Sequence, residues 1–153
     1  MSNPDFTTTI LVDQSPEVAY AAINNVRGWW SQDIEGSTDT LGGVFTHRYG
    51  DMHRCKIEVV ELVPNGRVVW LVLDNYFDFT KDKTEWKGTR IVFDIARKGA
   101  RTEVRFTHEG LVPDYECFNV CSNGWRSSVN GGLRQLIAAG KGSSDRKEAR
   151  KVS

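Results

Sequence analysis

Near the end of the chain, across residues 114–140, apolar side chains recur at intervals of three and four. At about 100° per residue, Phe118, Cys121, Trp125, Val129, Gly132 and Leu136 fall into one stripe. Tyr115, Ser122 and Leu133 flank that stripe, while Asn123, Arg126, Asn130 and Arg134 take the opposite side. The spacing predicts one long amphipathic helix. Asp114 can cap its first turn, Pro113 keeps the chain before it extended, and Gly140 is a C-terminal stop. About 25 residues at 1.5 Å each span about 37 Å. Such a helix must cross most of a small domain and wall whatever it covers.

Upstream the period changes to two. Residues 6–12 alternate Phe6, Thr8, Ile10 and Val12 on one side, the pattern of a half-buried strand. Ser15 then caps a short helix with Pro16 at its first position; Val18, Ala19, Ala22, Ile23 and Val26 share its apolar face and Gly28 ends it. Trp29 and Trp30 are expected in the connection, closing one end of the core. A polar loop is expected over 31–40. Strands are expected over 41–49 and 52–63, joined by a tight turn at Gly50-Asp51, and over 67–73 after the Pro64-Asn65-Gly66 turn. A further hairpin, 89–96 and 101–108, turns at Lys98-Gly99-Ala100. Within these strands Phe45, His47 and Tyr49 share a face, as do Cys55, Ile57 and Val59, then Val68, Trp70 and Val72, then Ile91, Phe93 and Ile95, then Thr102, Val104, Phe106 and His108. Residues 74–88 interrupt the alternation with Tyr76, Phe77, Phe79 and Trp86 among charged neighbours, an aromatic loop suited to a lid.

Composition narrows the class more than the task. A length of 153 residues fits one domain, placed at 1–141, with the charged run 142–153 expected to be a disordered tail. Twenty basic and twenty acidic residues cancel, so no global field favours nucleic acid. No stretch reaches the roughly 20 apolar residues of a membrane span, and the polar N-terminus lacks signal-peptide character, so a cytoplasmic location is expected. Three cysteines without a CxxC motif fit free thiols.

The opening FTTTILVDQSPEVAYAAI resembles the start of SRPBCC (START, polyketide cyclase, Bet v 1-like) domains. The ending THEGLVPDYECFNVCSNGWRSSVNGGLRQLI resembles the branch similar to the activator of heat-shock-protein-90 ATPase. The resemblance spans residues 5–141 and implies an α+β helix-grip fold, a curved antiparallel sheet wrapped around a long C-terminal helix with a cavity between them. The Gly50-Asp51 turn is too short for the glycine-rich loop of the pollen-allergen members.

That cavity is the site the resemblance supplies. Its expected lining is Phe45, Tyr49, Trp70, Phe93, Phe106, Phe118 and Trp125, with Phe77, Phe79 and Trp86 from the lid, and His108 and Ser122 joining Tyr49 as placed polar groups. The expected occupant is a hydrophobic small molecule. Against it stands the plain alternative that these rings pack a solid core. The family resemblance also implies a co-chaperone-like module that activates a chaperone ATPase, and a cyclase or hydratase with His108 as base. No catalytic residue is assigned and no cofactor is expected. His47, His53 and His108, with Cys55 two residues after His53, offer donor atoms for a metal, but His-x-Cys alone is not a recurrent metal pattern, so no metal is assigned. A monomer or homodimer fits the composition.

Overall fold

Thr102, Val104, Phe106 and His108 are fully buried while Arg101, Arg105 and Glu109 face out, so alternation alone places one face of a strand in the core. The computed structural model describes residues 5–30, 33–49, 53–77, 86–111 and 118–139. Their strands are β1 (Phe6–Val12), β2 (Ile34–Gly36), β3 (Val44–Tyr49), β4 (His53–Val63), β5 (Arg67–Phe77), β6 (Arg90–Lys98) and β7 (Arg101–Glu109). They form one antiparallel sheet in the order β1-β7-β6-β5-β4-β3-β2. Helices α1 (Pro16–Asn24) and α2 (Val26–Trp29) follow β1. The C-terminal helix runs as α3 (Phe118–Trp125), a π-helical stretch (Arg126–Leu133) and α4 (Arg134–Ala139). This is the helix-grip architecture.

Helix α1 starts as its sequence dictates. The Ser15 hydroxyl accepts the amide of Val18, and Pro16 occupies a first-turn position where its missing N–H is harmless. Its apolar face differs from the expected one, because Val18 is exposed and only Ala19, Ala22 and Ile23 are buried. Nor does the helix reach Gly28. It ends at Asn24, Asn25 turns the chain, and Val26–Trp29 forms a second short helix that contains both Gly28 and Trp29. Trp29 therefore belongs to an element rather than a connection. Its indole N–H donates to the Ile23 carbonyl, which locks the turn between the helices.

The expected polar loop over 31–40 contains β2. Within β2 only Ile34 is buried, too little for alternation to show in the sequence. Gly36 (φ +114°) brings β2 against β3 so closely that an added Cβ would meet the Val44 carbonyl oxygen. Two irregularities shape the long β4–β5 pair. Leu73 and Val60 are each skipped in the ladder, between the pairs Ile57↔Val72 and Lys56↔Asp74 and between Val59↔Trp70 and Glu61↔Val69. The first flips the parity of β5. Val68, Trp70 and Val72 face inward, and beyond the bulge it is Asn75 that is buried. The strand therefore continues to Phe77, past the expected end at Leu73.

The π-helical stretch adjusts the stripe of the C-terminal helix. Cys121, Trp125, Val129, Gly132 and Leu136 are buried as expected, but Leu133, expected on the flank, is fully buried and Ile137 joins it. Asn123, Arg126, Asn130 and Arg134 face outward. The Gly50-Asp51 turn, the helix start at Asp114, Gly140 and the 142–153 tail lie outside the described residues. Since this helix covers the inner sheet face, a chain ended at Pro113 should lose its cooperative melt and bind hydrophobic dye without saturation or precipitate. Calorimetry of the truncated chain checks this; a soluble, sharply melting product would contradict the fold's dependence on the helix.

Candidate functional site

The inward positions of β3, β5, β6 and β7 bring Phe45, Trp70, Phe93, Phe106 and His108 together beneath Trp125 of the C-terminal helix. Trp70 lies edge-on to Phe45 at 5.2 Å and to Phe93 at 4.9 Å, and Phe93 is edge-on to Phe106 at 5.2 Å. The Trp125 ring sits 4.7 Å from Phe106. Two residues that alternation did not nominate complete the cluster. Trp29 stacks on Trp70 at 6.3 Å, and Trp30 lies 4.9 Å from Trp125 and 6.0 Å from Trp70. They bridge sheet and helix rather than closing one end. The stacked and edge-to-face contacts among these are arrangements the ring quadrupole favours, while the two Trp125 contacts, with Phe106 and Trp30, are tilted.

Trp86 is a fixed wall. Its backbone N–H donates to Asn75 Oδ1 at 3.1 Å, its carbonyl accepts the Thr89 hydroxyl at 2.6 Å, and its indole stacks on Trp125 at 5.6 Å. The 74–88 segment is thus not one lid. Its first four residues belong to β5, Trp86 is pinned in the core, and Phe79 with the rest of 78–85 lies outside the described residues. Tyr49 and Phe77 end β3 and β5, and their side chains lie outside what is described. Phe118 is partly buried at the rim. Ser122 is buried, and its hydroxyl donates to the Phe118 carbonyl at 2.6 Å, one turn back in its own helix.

His108 is the connecting polar group. An indole N–H can only donate, so the 3.1 Å contact of Trp125 Nε1 with His108 Nδ1 makes Nδ1 the acceptor and puts the ring proton on Nε2. Nε2–H then donates to Thr89 Oγ1 at 2.8 Å, and that hydroxyl donates onward to the Trp86 carbonyl. Both nitrogens are committed. Burial, and then the nearby His53, lower the pKa to about 3. A histidine so engaged is a structural tie and has no lone pair left for proton abstraction, which disfavours the cyclase base role.

The β3–β4 register brings together three residues that their spacing along the chain was too weak to group, His47, His53 and Cys55. His47 pairs directly with Cys55 and Tyr49 with His53, and the His47 and His53 rings lie 5.3 Å apart. One donor atom from each of His47, His53 and Cys55 lies within 4.8 Å of the others. Trp30 stacks flat on His47 at 4.0 Å, and Trp86 meets His53 edge-on at 4.9 Å. The signal lay in the cross-strand pairing, which needs the turn register and cannot be read from His-x-Cys alone. Burial, with His53 adding to it, lowers the pKa of His47 to about 3; burial brings that of His53 to about 4 and pushes the Cys55 thiol well up. Neither Trp70 Nε1 nor His47 Nδ1 has a hydrogen-bond partner among the described residues.

A family model described as activator of Hsp90 ATPase homolog 1-like protein matches residues 14–138. The Aha1 dimer from Colwellia psychrerythraea, a solution structure, is 26% identical with a TM-score of 0.72, covering 93% of this chain and all of that one. DynU16, from the dynemicin biosynthetic locus, is 16% identical with a TM-score of 0.67, covering 91% of this chain and 49% of that one. The Mll3558 protein from Rhizobium loti is 18% identical with a TM-score of 0.63, covering 84% and 94%. The last two share the fold alone. No curated protein sequence matches the chain, and no helix among the described residues is long and apolar enough to cross a membrane.

The buried imidazoles set a pH dependence. The His108 pKa is about 3 folded against 6.5 as a free side chain, so the unfolded chain binds more protons below pH 6.5. His47 and His53 act in the same direction. The stabilisation is complete above about pH 6.5 and is lost as pH falls toward 3, each histidine contributing a slope approaching about 1.4 kcal/mol per pH unit. Urea melts at pH 7, 6 and 5 should show stability falling by more than one histidine supplies. A flat profile would mean these rings are not held neutral.

Proposed function

The chain belongs to the activator of Hsp90 ATPase homolog 1-like family, and on that premise we propose that it binds a flat, apolar small molecule carrying a hydrogen-bond acceptor, between the sheet and the C-terminal helix. The observation that carries this reading is the indole N–H of Trp70. It lies fully buried in a shell of rings from Trp29, Trp30, Phe45 and Phe93, with no acceptor among the described residues. An unmet buried donor costs about 1–3 kcal/mol, and an acceptor on a guest offsets that cost. The π-helical stretch in the covering helix adds support, since such irregular turns gather at functional sites. The rings touch one another in the free chain, so a guest must part them, with Trp30 lying between Trp70 of the sheet and Trp125 of the covering helix.

An anilinonaphthalene sulfonate dye, apolar with sulfonate acceptors, tests the reading. Folded wild type should bind it saturably and melt at a higher temperature with it. Trp70→Phe should still melt cooperatively and bind about tenfold more weakly, the equivalent of one hydrogen bond of about 1.4 kcal/mol. Absence of saturable binding by the folded chain, or equal affinity of the two proteins, would refute it.

A second reading is favoured by a separate observation, the match along the whole length of the Colwellia Aha1 dimer. In this reading the outer surface contacts a chaperone ATPase, and the exposed apolar residues Leu41 and Val44, close together before and at the start of β3, are the patch to test. Stimulation of purified Hsp90 ATPase by wild type, unchanged in Trp70→Phe and lost in a Leu41→Ser, Val44→Ser double variant, is the result expected of that role.

A further inference from the structure

His47, His53 and Cys55 form a compact group that neither the ligand reading nor the chaperone reading uses. All three lie on the inner face of the β3–β4 pair, where register sets His47 opposite Cys55 and places His53 one inward position further along β4. Their donor atoms lie within 4.8 Å of one another. Ligands at 2.0–2.1 Å (nitrogen) and 2.3 Å (sulfur) from one ion stand about 3.4–3.8 Å apart in tetrahedral or trigonal geometry. Side-chain rotation of about 1 Å therefore closes the group around an ion. His47 is buried, and its Nδ1 has no hydrogen-bond partner among the described residues, so no such contact has to be broken to engage that nitrogen. Cys55 is fully buried and in no disulfide.

We propose that His47, His53 and Cys55 bind one Cu(I) ion. The donor chemistry selects the ion. A thiolate with two imidazoles is a soft set, and three ligands satisfy a monovalent d10 ion in trigonal geometry. Charge decides between candidates. On binding, the Cys55 thiol gives its proton to solvent and an S–Cu bond forms without change of oxidation state, so ion and thiolate sum to zero. Zn(II) on the same ligands leaves a net positive charge in a wall made by Trp30 and Trp86, and it calls for a fourth ligand, whereas the cluster among the described residues has three members.

The test uses the full chain, reduced and metal-free, titrated anaerobically with Cu(I) against a colorimetric cuprous chelator. Wild type should take up one equivalent and lose tryptophan fluorescence, because Trp30 and Trp86 border the group. His53→Gln and Cys55→Ser should weaken binding on the order of 100-fold or more, given that even an outer-shell partner is worth 10–100-fold. Cys117→Ser and Cys121→Ser should bind as wild type does. Near-UV circular dichroism confirms the fold of each variant; His53 is partly exposed, so His53→Gln decides the matter where Cys55→Ser fails to fold. X-ray absorption should find one sulfur and two nitrogens around copper. The proposal is overturned by unchanged affinity in His53→Gln, by loss of binding in Cys117→Ser or Cys121→Ser, by two or more sulfurs on the ion, or by uptake of Zn(II) without Cu(I).

Discussion

The hydrogen bond from Trp125 to His108 joins the gripping helix to the sheet, and the geometry of the interior depends on it. Apolar burial is non-directional, so ring packing alone leaves the helix free to slide or rotate over the concave face. The directed contact removes that freedom. Trp125 comes from α3, His108 from β7 and Thr89 from the approach to β6, and the chain of donors ends on the carbonyl of Trp86. Four parts of the chain are thereby held in one register. Its net worth is about 1 kcal/mol, but leaving either buried end unmet costs about 1–3 kcal/mol. That asymmetry confers specificity as well as stability.

The skipped residue Leu73 is the second device that builds the site. Without it β5 would keep its even-numbered residues inward, and Asn75 would face solvent. With it, Asn75 turns into the core and holds the backbone of Trp86, which carries that indole against Trp125, His108 and His53. A local change of strand parity therefore decides where an aromatic wall stands. The β3–β4 pair makes its own contribution, since its unbroken register keeps His47 and Cys55 side by side.

Much of this was legible in the chain. Period-two alternation located every inward residue of β7 and the inner face of β4, and the 100° stripe located Cys121, Trp125, Val129 and Leu136, because each pattern repeats a burial preference several times. Features that occur once left no such trace. β2 buries a single residue, Leu73 breaks a period without announcing which side resumes, and the π-helical turns moved Leu133 from flank to centre. Trp29 and Trp30 were placed at an end because nothing local says which rings they meet. Among the site residues, His108 could be placed inward by parity, yet its tautomer required Trp125 and Thr89, distant in sequence. His47, His53 and Cys55 stood out by residue type, but their grouping depends on the β3–β4 register, which spacing along the chain does not give, and no metal was assigned to them.

The choice of residue at position 70 bears on why this interior is polar at all. Trp70 is fully enclosed by rings, so its value as packing comes from the ring system and not from the nitrogen. A nitrogen buried without an acceptor lowers stability relative to an apolar ring of like shape. The same holds for His47, which stacks under Trp30 where a phenyl ring would stack as well without an unpartnered ring nitrogen. His108 has both nitrogens engaged by protein and is explained by the fold. Trp70 and His47 are not so explained. Local rules are broken most often at functional or strained sites, and Trp70 Nε1 and His47 Nδ1, unlike the nitrogens of His108, have no hydrogen-bond partner among the described residues to account for them.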